Sequence, residues 1–156
     1  MGIEIERKFL TASEEWRGFG EGADYRQGYL STDAERTVRV RTAGERGYLT
    51  IKGSSVGATR AEYEYEIPVE DARELLDELC TRPLIEKRRF RILYADLTWE
   101  VDEFFGENHG LVLAEVELAS EEQPVDLPPW IGEEVTGDPR YFNASLVARP
   151  FATWGA

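Results

Sequence analysis

The chain has 156 residues, of which 42% are hydrophobic and 31% are charged. This length suits one domain with a substantial core, and we expect residues 1–156 to form a single domain. Acidic residues outnumber basic ones by 31 to 18, and the formal net charge is −13. A surface of this charge repels phosphate backbones and anionic lipid, so neither nucleic acid nor a membrane is an expected partner.

Other sequence features narrow the setting of the protein. No apolar run approaches the roughly 18 residues of a membrane-spanning helix, and no basic segment precedes an apolar stretch as in an export signal. Cys80 is the single cysteine, so an internal disulfide is excluded and a reducing compartment is expected. We therefore predict a cytoplasmic protein. His109 lies in a turn-like sequence and is assigned no role.

The first predicted element is a strand at residues 3–10, whose side chains alternate between two faces. Glu4, Glu6 and Lys8 share one face. Ile3, Ile5 and Phe9 share the other. One face is thus apolar, and the other carries full charges.

The following elements repeat this pattern. Ser13 is expected to cap a short helix that includes Trp16, and a second strand is expected near residues 25–30. A predicted hairpin pairs residues 36–42 with 48–52 and places its basic side chains on one face. Its basic residues are Arg39, Arg41 and Lys52. Residues 53–59 have the composition of a mobile loop.

In the second half of the chain, a strand at residues 60–67 places Glu62 and Glu64 on one face. Residues 69–80 have the apolar spacing of an amphipathic helix, which we expect Pro83 to close off. Three further strands are expected at residues 85–94, 97–104 and 111–119. In the tail, residues 124–129 break regular structure, and Asp138 precedes Pro139 at the start of a predicted helix through residue 147.

The charged faces of these strands allow two architectures. Ordinary solvated strands carry mixtures of polar residues, whereas these faces are dominated by glutamate, arginine and lysine. If the charged faces turn inward and helices cover the apolar faces, the sheet encloses a polar lumen that must bind an ionic ligand. In the alternative, the apolar faces form a conventional core and every charge meets water. Arginine-rich strands and separate carboxylate pairs favour the first architecture.

Motifs along almost the whole chain, in this order, resemble those of the CYTH proteins, or triphosphate tunnel metalloenzymes, in their small bacterial inorganic triphosphatase branch. The first motif is Glu-x-Glu-x-Lys at Glu4, Glu6 and Lys8. The later motifs are Gln27-Gly28-Tyr29-Leu30, Arg39-x-Arg41, Thr50-Ile51-Lys52-Gly53, Glu62-x-Glu64, Glu86-Lys87-Arg88-Arg89, residues 99–104, Glu115-x-Glu117 and Arg140-Tyr141-Phe142-Asn143. The resemblance implies an α+β fold, an eight-stranded antiparallel closed β-barrel that forms a tunnel, with a few flanking helices.

The resemblance also implies roles for individual residues. The metal ligands it implies are Glu4, Glu6 and Glu117, helped by Glu115. The triphosphate-binding side chains it implies are Lys8, Arg39, Arg41, Lys52, Lys87 and Arg89. A third set would hold a second metal or position water and basic side chains: Glu62, Glu64 and Asp102. The expected catalytic set comprises this third set with Glu4, Glu6 and Lys8.

The expected activity is divalent-metal-dependent hydrolysis of the terminal phosphate of inorganic triphosphate. Carboxylate ligands suit Mg²⁺ or Mn²⁺, and there is no Cys/His cluster for zinc. ATP or another nucleoside triphosphate is the second substrate candidate. Thiamine triphosphate hydrolysis and adenylyl cyclase activity remain alternatives, as does a non-catalytic module that binds triphosphate or polyphosphate. The protein is expected to be a monomer or a homodimer.

Overall fold

The structure, a computed structural model, describes residues 2–155. Met1 and Ala156, the two ends of the predicted domain, lie outside this range. Nine antiparallel strands form one sheet in the order β5-β4-β3-β2-β6-β7-β8-β1-β9, and an additional pairing of β5 with β1 closes eight of them into a barrel. The predicted closed eight-stranded barrel is confirmed, and β9 is an extra strand beside it.

The strands span Ile3–Thr11 (β1), Gly22–Ser31 (β2), Thr37–Ala43 (β3), Arg46–Val56 (β4), Thr59–Ile67 (β5), Thr81–Tyr94 (β6), Leu97–Phe104 (β7), Val112–Glu117 (β8) and Ile131–Glu134 (β9). The two α-helices are Val69–Glu78 (α1) and Ser145–Ala148 (α2). Four 3₁₀ turns lie at Glu15–Gly18, Gly106–Asn108, Pro139–Tyr141 and Phe151–Thr153. In residues 2–155, neither helix has the length and apolar character to cross a bilayer.

Strand β1 closes the barrel by sharing its edges among three partners. Its residues 6–10 pair with β8 along one edge. On the other edge, residues 3–5 pair with β5, and Phe9 and Thr11 pair with β9. Between the residues of β1 that pair with β5 and those that pair with β9, the amide of Glu6 donates to the carbonyl oxygen of Ala58 at 3.0 Å. The β1–β5 seam is therefore short, and the C-terminal part of the chain continues the wall.

The apolar outer face of the barrel is buried in two places. Around β1, β6, β7 and β8, side chains from the wall pack with Trp16 and Trp130, which come from the segments flanking the barrel. Helix α1 covers a second region, where Ala72 and Leu76 pack on Val40 of β3. Burial of these clusters removes several large side chains from water, each worth about 1.5–3 kcal/mol.

One end of the lumen is filled by apolar side chains. Inward positions at that end carry Leu10, Tyr29, Ile85, Phe104 and Leu113, which pack in one cluster with Val135, Tyr141, Leu146 and Val147. The C-terminal segment thus packs into this end of the barrel. The charged residues occupy the rest of the lumen.

Several predicted boundaries differ in the structure. Residues 53–59 are not a loop: β4 continues to Val56 and β5 begins at Thr59, so only a tight turn joins them. Helix α1 ends at Glu78, so Pro83, which lies inside β6, is not the residue that ends the helix. Ser13 is not the N-cap residue of the 3₁₀ turn, which is Glu14, although its Oγ accepts a long hydrogen bond, 3.4 Å, from the amide of Glu15.

The predicted tail helix through residue 147 is also wrong. Asp138 does cap a turn that begins with Pro139, since its carboxylate accepts from the amide of Arg140. That turn ends after one 3₁₀ turn, and residues 142–144 separate it from α2. The break places Phe142 and Asn143 against the lumen rather than along a helix.

Candidate active site

The charged faces of the strands point into one lumen, a cavity of about 280 Å³. Every residue expected in the site lines this cavity, with the exception of Asp102. The lining members of that set are Glu4, Glu6, Lys8, Arg39, Arg41, Lys52, Glu62, Glu64, Lys87, Arg89, Glu115 and Glu117. The alternative architecture, with charges in water, is therefore wrong.

Asp102 lies in the wall behind two of the cations. It is fully buried. It accepts two hydrogen bonds from Arg89, at 2.8 and 2.9 Å, and its second oxygen lies 2.8 Å from Nζ of Lys87. Although burial raises the pKa of Asp102, Arg89 and Lys87 outweigh that effect and lower it to about 2. The carboxylate is thus ionised and occupied by two basic side chains, with no face toward the cavity.

Three buried cations, Arg41, Lys87 and Arg89, lie close together in the deep lumen, and the charge of Arg89 lowers the pKa of the other two. Burial lowers the pKa of Lys87 to about 7, because the attraction of Asp102 is opposed by Arg89 and Arg41. Burial, followed by repulsion from Arg39 and Arg89, lowers the pKa of Arg41 to about 9. Positive groups held together this way destabilise one another until an anion binds between them. The arrangement is typical of a polyanion site.

Arg39 has an unpaired donor beside the same cavity. Its side chain is buried, and its Nη2 donates to Thr50 Oγ1 at 3.2 Å and to Glu64 Oε1 at 3.3 Å. Within residues 2–155, its buried Nε has no hydrogen-bond partner. A buried guanidinium N–H without an acceptor is costly. An anionic oxygen in the cavity would satisfy it.

Carboxylates concentrate where β1 meets β8. The register pairs Glu6 with Glu117 and Lys8 with Glu115. Burial and the neighbouring Glu115 carboxylate raise the pKa of Glu6 well above its usual range. Burial opposes ionisation of Glu115 as well, but Lys8 and a hydrogen bond from Glu6 hold its pKa well below the usual range. Of the two carboxyl groups, Glu6 is therefore the one that is more readily protonated.

A second acidic group involves β1, β4 and β5. Lys52 Nζ lies 3.1 Å from Glu4 Oε1 and 3.4 Å from Glu62 Oε2. Burial and the Glu4 carboxylate raise the pKa of Glu62. Burial alone would raise the pKa of Glu4 too, but Lys52 outweighs it and the net shift is downward. In residues 2–155, no three acidic side chains are preassembled as a metal-binding group.

The C-terminal segment supplies lumen residues outside the expected set. Lys8 Nζ donates to the carbonyl oxygen of Tyr141 at 3.0 Å and lies 5.6 Å from the ring centroid of Phe142. Arg60 approaches the same ring at 5.7 Å. Arg60 begins the alternation that continues through Glu62 and Glu64, so its inward position could have been predicted from that spacing.

Strand β2 contributes a row of uncharged side chains that face inward, and of these Tyr29 lines the cavity. Tyr25, Gln27 and Tyr29 are buried. Gln27 bonds to Arg41 and to Asn143, and Asn143 also accepts from Lys87 at 2.8 Å. Sequence reasoning missed Tyr25 and Gln27 as site residues because a neutral side chain does not stand out as an alternating charge does.

Comparisons with known proteins agree with this architecture. The sequence pattern of the CYTH domain matches residues 2–151. An inorganic triphosphatase of Acetivibrio thermocellus is 52% identical over 151 residues, which cover 97% of each chain. An inorganic triphosphatase of Nitrosomonas europaea is 40% identical, over 92% of this chain and 95% of that protein. The crystal structure of an inorganic triphosphatase superposes with a TM-score of 0.65 at 38% identity, covering 92% of this chain and 96% of the other. The chain belongs to the CYTH domain family.

Proposed function

We propose that the protein hydrolyses the terminal phosphate of inorganic triphosphate with the help of a divalent cation. The observation that carries this proposal is the group of buried cations Arg41, Lys87 and Arg89 in the deep lumen, where the pKa values of Arg41 and Lys87 are lowered by burial and by the neighbouring positive charges. Phosphoryl transfer depends mainly on positioning and on neutralising charge, which such a group supplies. Two relatives named inorganic triphosphatase support the same substrate.

Basic side chains from several strands would bind the phosphate oxygens. Arg39 has an unpaired Nε within residues 2–155, and Lys8, Arg41 and Lys87 line the same cavity. Asp102 is bonded to Lys87 and Arg89 and does not face the cavity. Of its two expected roles, this arrangement supports positioning of basic side chains rather than binding of a second metal.

The acidic residues fit a divalent cation by their chemistry. The pKa of Glu6 is raised beside Glu115, and the pKa of Glu62 is raised beside Glu4, so each pair of carboxyl groups favours a proton or a cation between them. A hard cation with oxygen ligands can take the place of such protons, as Mg²⁺ and Mn²⁺ do at carboxylates. Glu4, Glu6, Glu115 and Glu117 would hold it. When bound, the cation would polarise the phosphate and offset its charge.

Other acidic residues would act on water. Glu64 is exposed at the open side of the lumen and is held by Thr50 at 2.9 Å, while Glu62 lies partly buried beside Lys52. Burial and Glu4 raise the pKa of Glu62, so its carboxylate can accept a proton nearer to neutral pH than an ordinary glutamate. We assign Glu62 and Glu64 to orienting the attacking water.

Inorganic triphosphate is favoured over nucleotides by the lumen itself. The cavity of about 280 Å³ lies near the lower end of ligand-site volumes, and its lining is mainly charged. One end of the lumen is filled by the cluster that includes Tyr141 and Leu146, which leaves no space there for a base. ATP would have to leave its nucleoside outside the open side.

The test is phosphate release from inorganic triphosphate, ATP, thiamine triphosphate and pyrophosphate, each with Mg²⁺, with Mn²⁺ and with neither. We expect metal-dependent release from inorganic triphosphate at the highest kcat/KM. Cyclic AMP from ATP would show a cyclase instead. Tight binding of triphosphate without any product would show a binding module and refute hydrolysis.

Glu6→Gln tests the acidic group in the same assay. It preserves size but removes the carboxylate, so we expect turnover to fall by at least about 100-fold, since even indirect ligand partners cost about 10–100-fold. Glu66→Gln is the matched control, because Glu66 is exposed and pairs only loosely with Arg46 at 3.6 Å. Wild-type turnover by folded Glu6→Gln would remove Glu6 from the mechanism.

A further inference from the structure

We propose that Gln27, a residue of β2 that does not line the cavity, positions the triphosphate-binding cations Arg41 and Lys87. This inference rests on the proposed function for its ligand. The side chain of Gln27 is completely buried. It lies between Arg41 of β3 and Asn143 of the C-terminal segment, and Asn143 in turn accepts a hydrogen bond from Lys87 of β6. Gln27 is therefore a positioning residue rather than a catalytic one.

Each polar atom of the Gln27 carboxamide is used. Its Oε1 accepts from Nε of Arg41 at 3.0 Å and from Nη2 at 2.8 Å. Its Nε2 donates to the hydroxyl of Tyr29 at 3.1 Å and to Oδ1 of Asn143 at 3.0 Å. Because a guanidinium only donates, the oxygen must face Arg41 and the amide orientation is determined.

The bridge continues through Asn143. Its Oδ1 accepts from Gln27 and also from Nζ of Lys87, at 2.8 Å. Two neutral amides thus join Arg41 of β3 to Lys87 of β6, the two strands that flank β2 in the sheet. Both cations have lowered pKa values because they are buried near other positive groups, and the bridge holds them in place despite that repulsion.

The neutrality of Gln27 is the chemical point of the proposal. A carboxylate at this position could accept the same two bonds from Arg41, but it would also cancel the charge that the phosphate must meet. The amide of Gln27 binds the Nε and Nη2 atoms of Arg41 without neutralising the guanidinium. The positive charge and the Nη1 group of Arg41 therefore stay available to bind a ligand. Tyr25 limits the side chain further, since the guanidinium carbon lies 5.0 Å from the centroid of its ring.

The primary test is Gln27→Met, which keeps the size of the side chain and removes its hydrogen bonds. We expect the KM for inorganic triphosphate with Mg²⁺ to rise about 10- to 100-fold, the range that corresponds to losing hydrogen bonds to a charged group. Calorimetric titration with triphosphate in metal-depleted buffer should show a similar loss of affinity without turnover. The folded state is checked by thermal unfolding of each variant.

A double-mutant cycle separates positioning from general damage. If Gln27 acts through Arg41 and Lys87, then Gln27→Met should cost clearly less in an Arg41→Met background than in the wild type, because only the route through Lys87 remains. A purely structural role predicts the same fold-loss in both backgrounds. Additive effects would therefore overturn the proposal.

Gln27→Glu provides a second variant in case the methionine protein does not fold. It retains the acceptor for Arg41 but places a negative charge beside it, so we expect weaker triphosphate binding in a folded protein. Gln123→Glu is the matched control: Gln123 accepts from the amide of Ala119 at 2.7 Å, outside the lumen, and a carboxylate can do the same. Its KM should stay within about twofold of wild type.

The outcomes distinguish this inference from the proposed function. If the wild-type protein neither binds nor hydrolyses triphosphate, the proposed function fails. If the wild type is active, and folded Gln27→Met and Gln27→Glu both keep its KM and affinity, then only the positioning role fails. Weakened binding by both variants, with a smaller Gln27→Met effect in the Arg41→Met background than in the wild type, supports it.

Discussion

Replacement of Asp102 by asparagine should destabilise the protein strongly, because the change removes the counter-charge of two buried cations. Asp102 is fully buried and lies 2.8 Å from Lys87 and 2.8 Å from Arg89. Asparagine has nearly the same shape but no charge, and its amide group would face a donor. Breaking a buried ion pair from one side costs about 3–5 kcal/mol, and we expect a loss in this range at pH 6.

Two conditions should reduce that loss. With a pKa of about 7, Lys87 can release its proton near pH 9, which leaves one buried cation fewer without a partner. Triphosphate, added in metal-depleted buffer so that it is not hydrolysed, supplies negative charge to the same cations and stabilises the folded state by mass action. The difference between Asp102→Asn and wild type should therefore be smaller at pH 9, and smaller again with triphosphate.

Urea-induced unfolding measures these free energies. The matched control is Asp24→Asn, because Asp24 also pairs with an arginine at 2.9 Å, but its side chain is 75% exposed and that of Arg88 is 47% exposed. Exposed pairs contribute about 0–1 kcal/mol. If Asp102→Asn costs no more than Asp24→Asn at pH 6, Asp102 is not the counter-charge that stabilises buried Lys87 and Arg89.

Two further predictions concern the cation group and the packing of α1. Lys87 has a pKa of about 7 in the folded state and about 10.4 when unfolded, so the unfolded chain binds more protons between these two values and the wild-type free energy of unfolding should rise with pH across them. Lys87→Met should flatten this rise between pH 7 and 9. Parallel urea-unfolding profiles of the variant and the wild type would contradict this prediction. A Cβ at Gly47 would lie 2.7 Å from Ala72 Cβ and 3.2 Å from the carbonyl oxygen of Ile67, so Gly47→Ala should lower the free energy of unfolding by about 1–3 kcal/mol. Gly18→Ala is the control and should be close to neutral, because a Cβ there meets nothing within 4 Å. Equal unfolding midpoints for the two variants would refute this packing argument.

The parts of the fold that could be predicted are those where charge alternates with apolar residues. In β1, the spacing of Glu4, Glu6 and Lys8 determines which side faces the lumen, because an apolar outer face and a charged inner face repeat every second residue. The same argument correctly placed Arg39 and Lys87. Closure of the barrel was implied by the family resemblance rather than by spacing.

The residues that sequence reasoning missed follow from its reliance on charge. Gln27 and Tyr25 face inward, but neutral side chains alternate without revealing the direction of a strand. Asp102 lies on the predicted face, yet its partners Lys87 and Arg89 separate it from the cavity, which depends on three-dimensional packing. Strand β9 is only four residues long, and its pairing with a strand more than 100 positions earlier leaves no local signal.

The arrangement of β1 also has a consequence for synthesis on the ribosome. The partners of this first strand are residues 59–61, 113–117 and 131–134, whereas β3 and β4 pair with the strands next to them in the sequence. Contacts over such separations are slow to form. The edge of β1 that pairs with β8 therefore stays unpaired until nearly the whole polypeptide has left the ribosome. During this interval, the unpaired strand edge makes the nascent chain prone to aggregation.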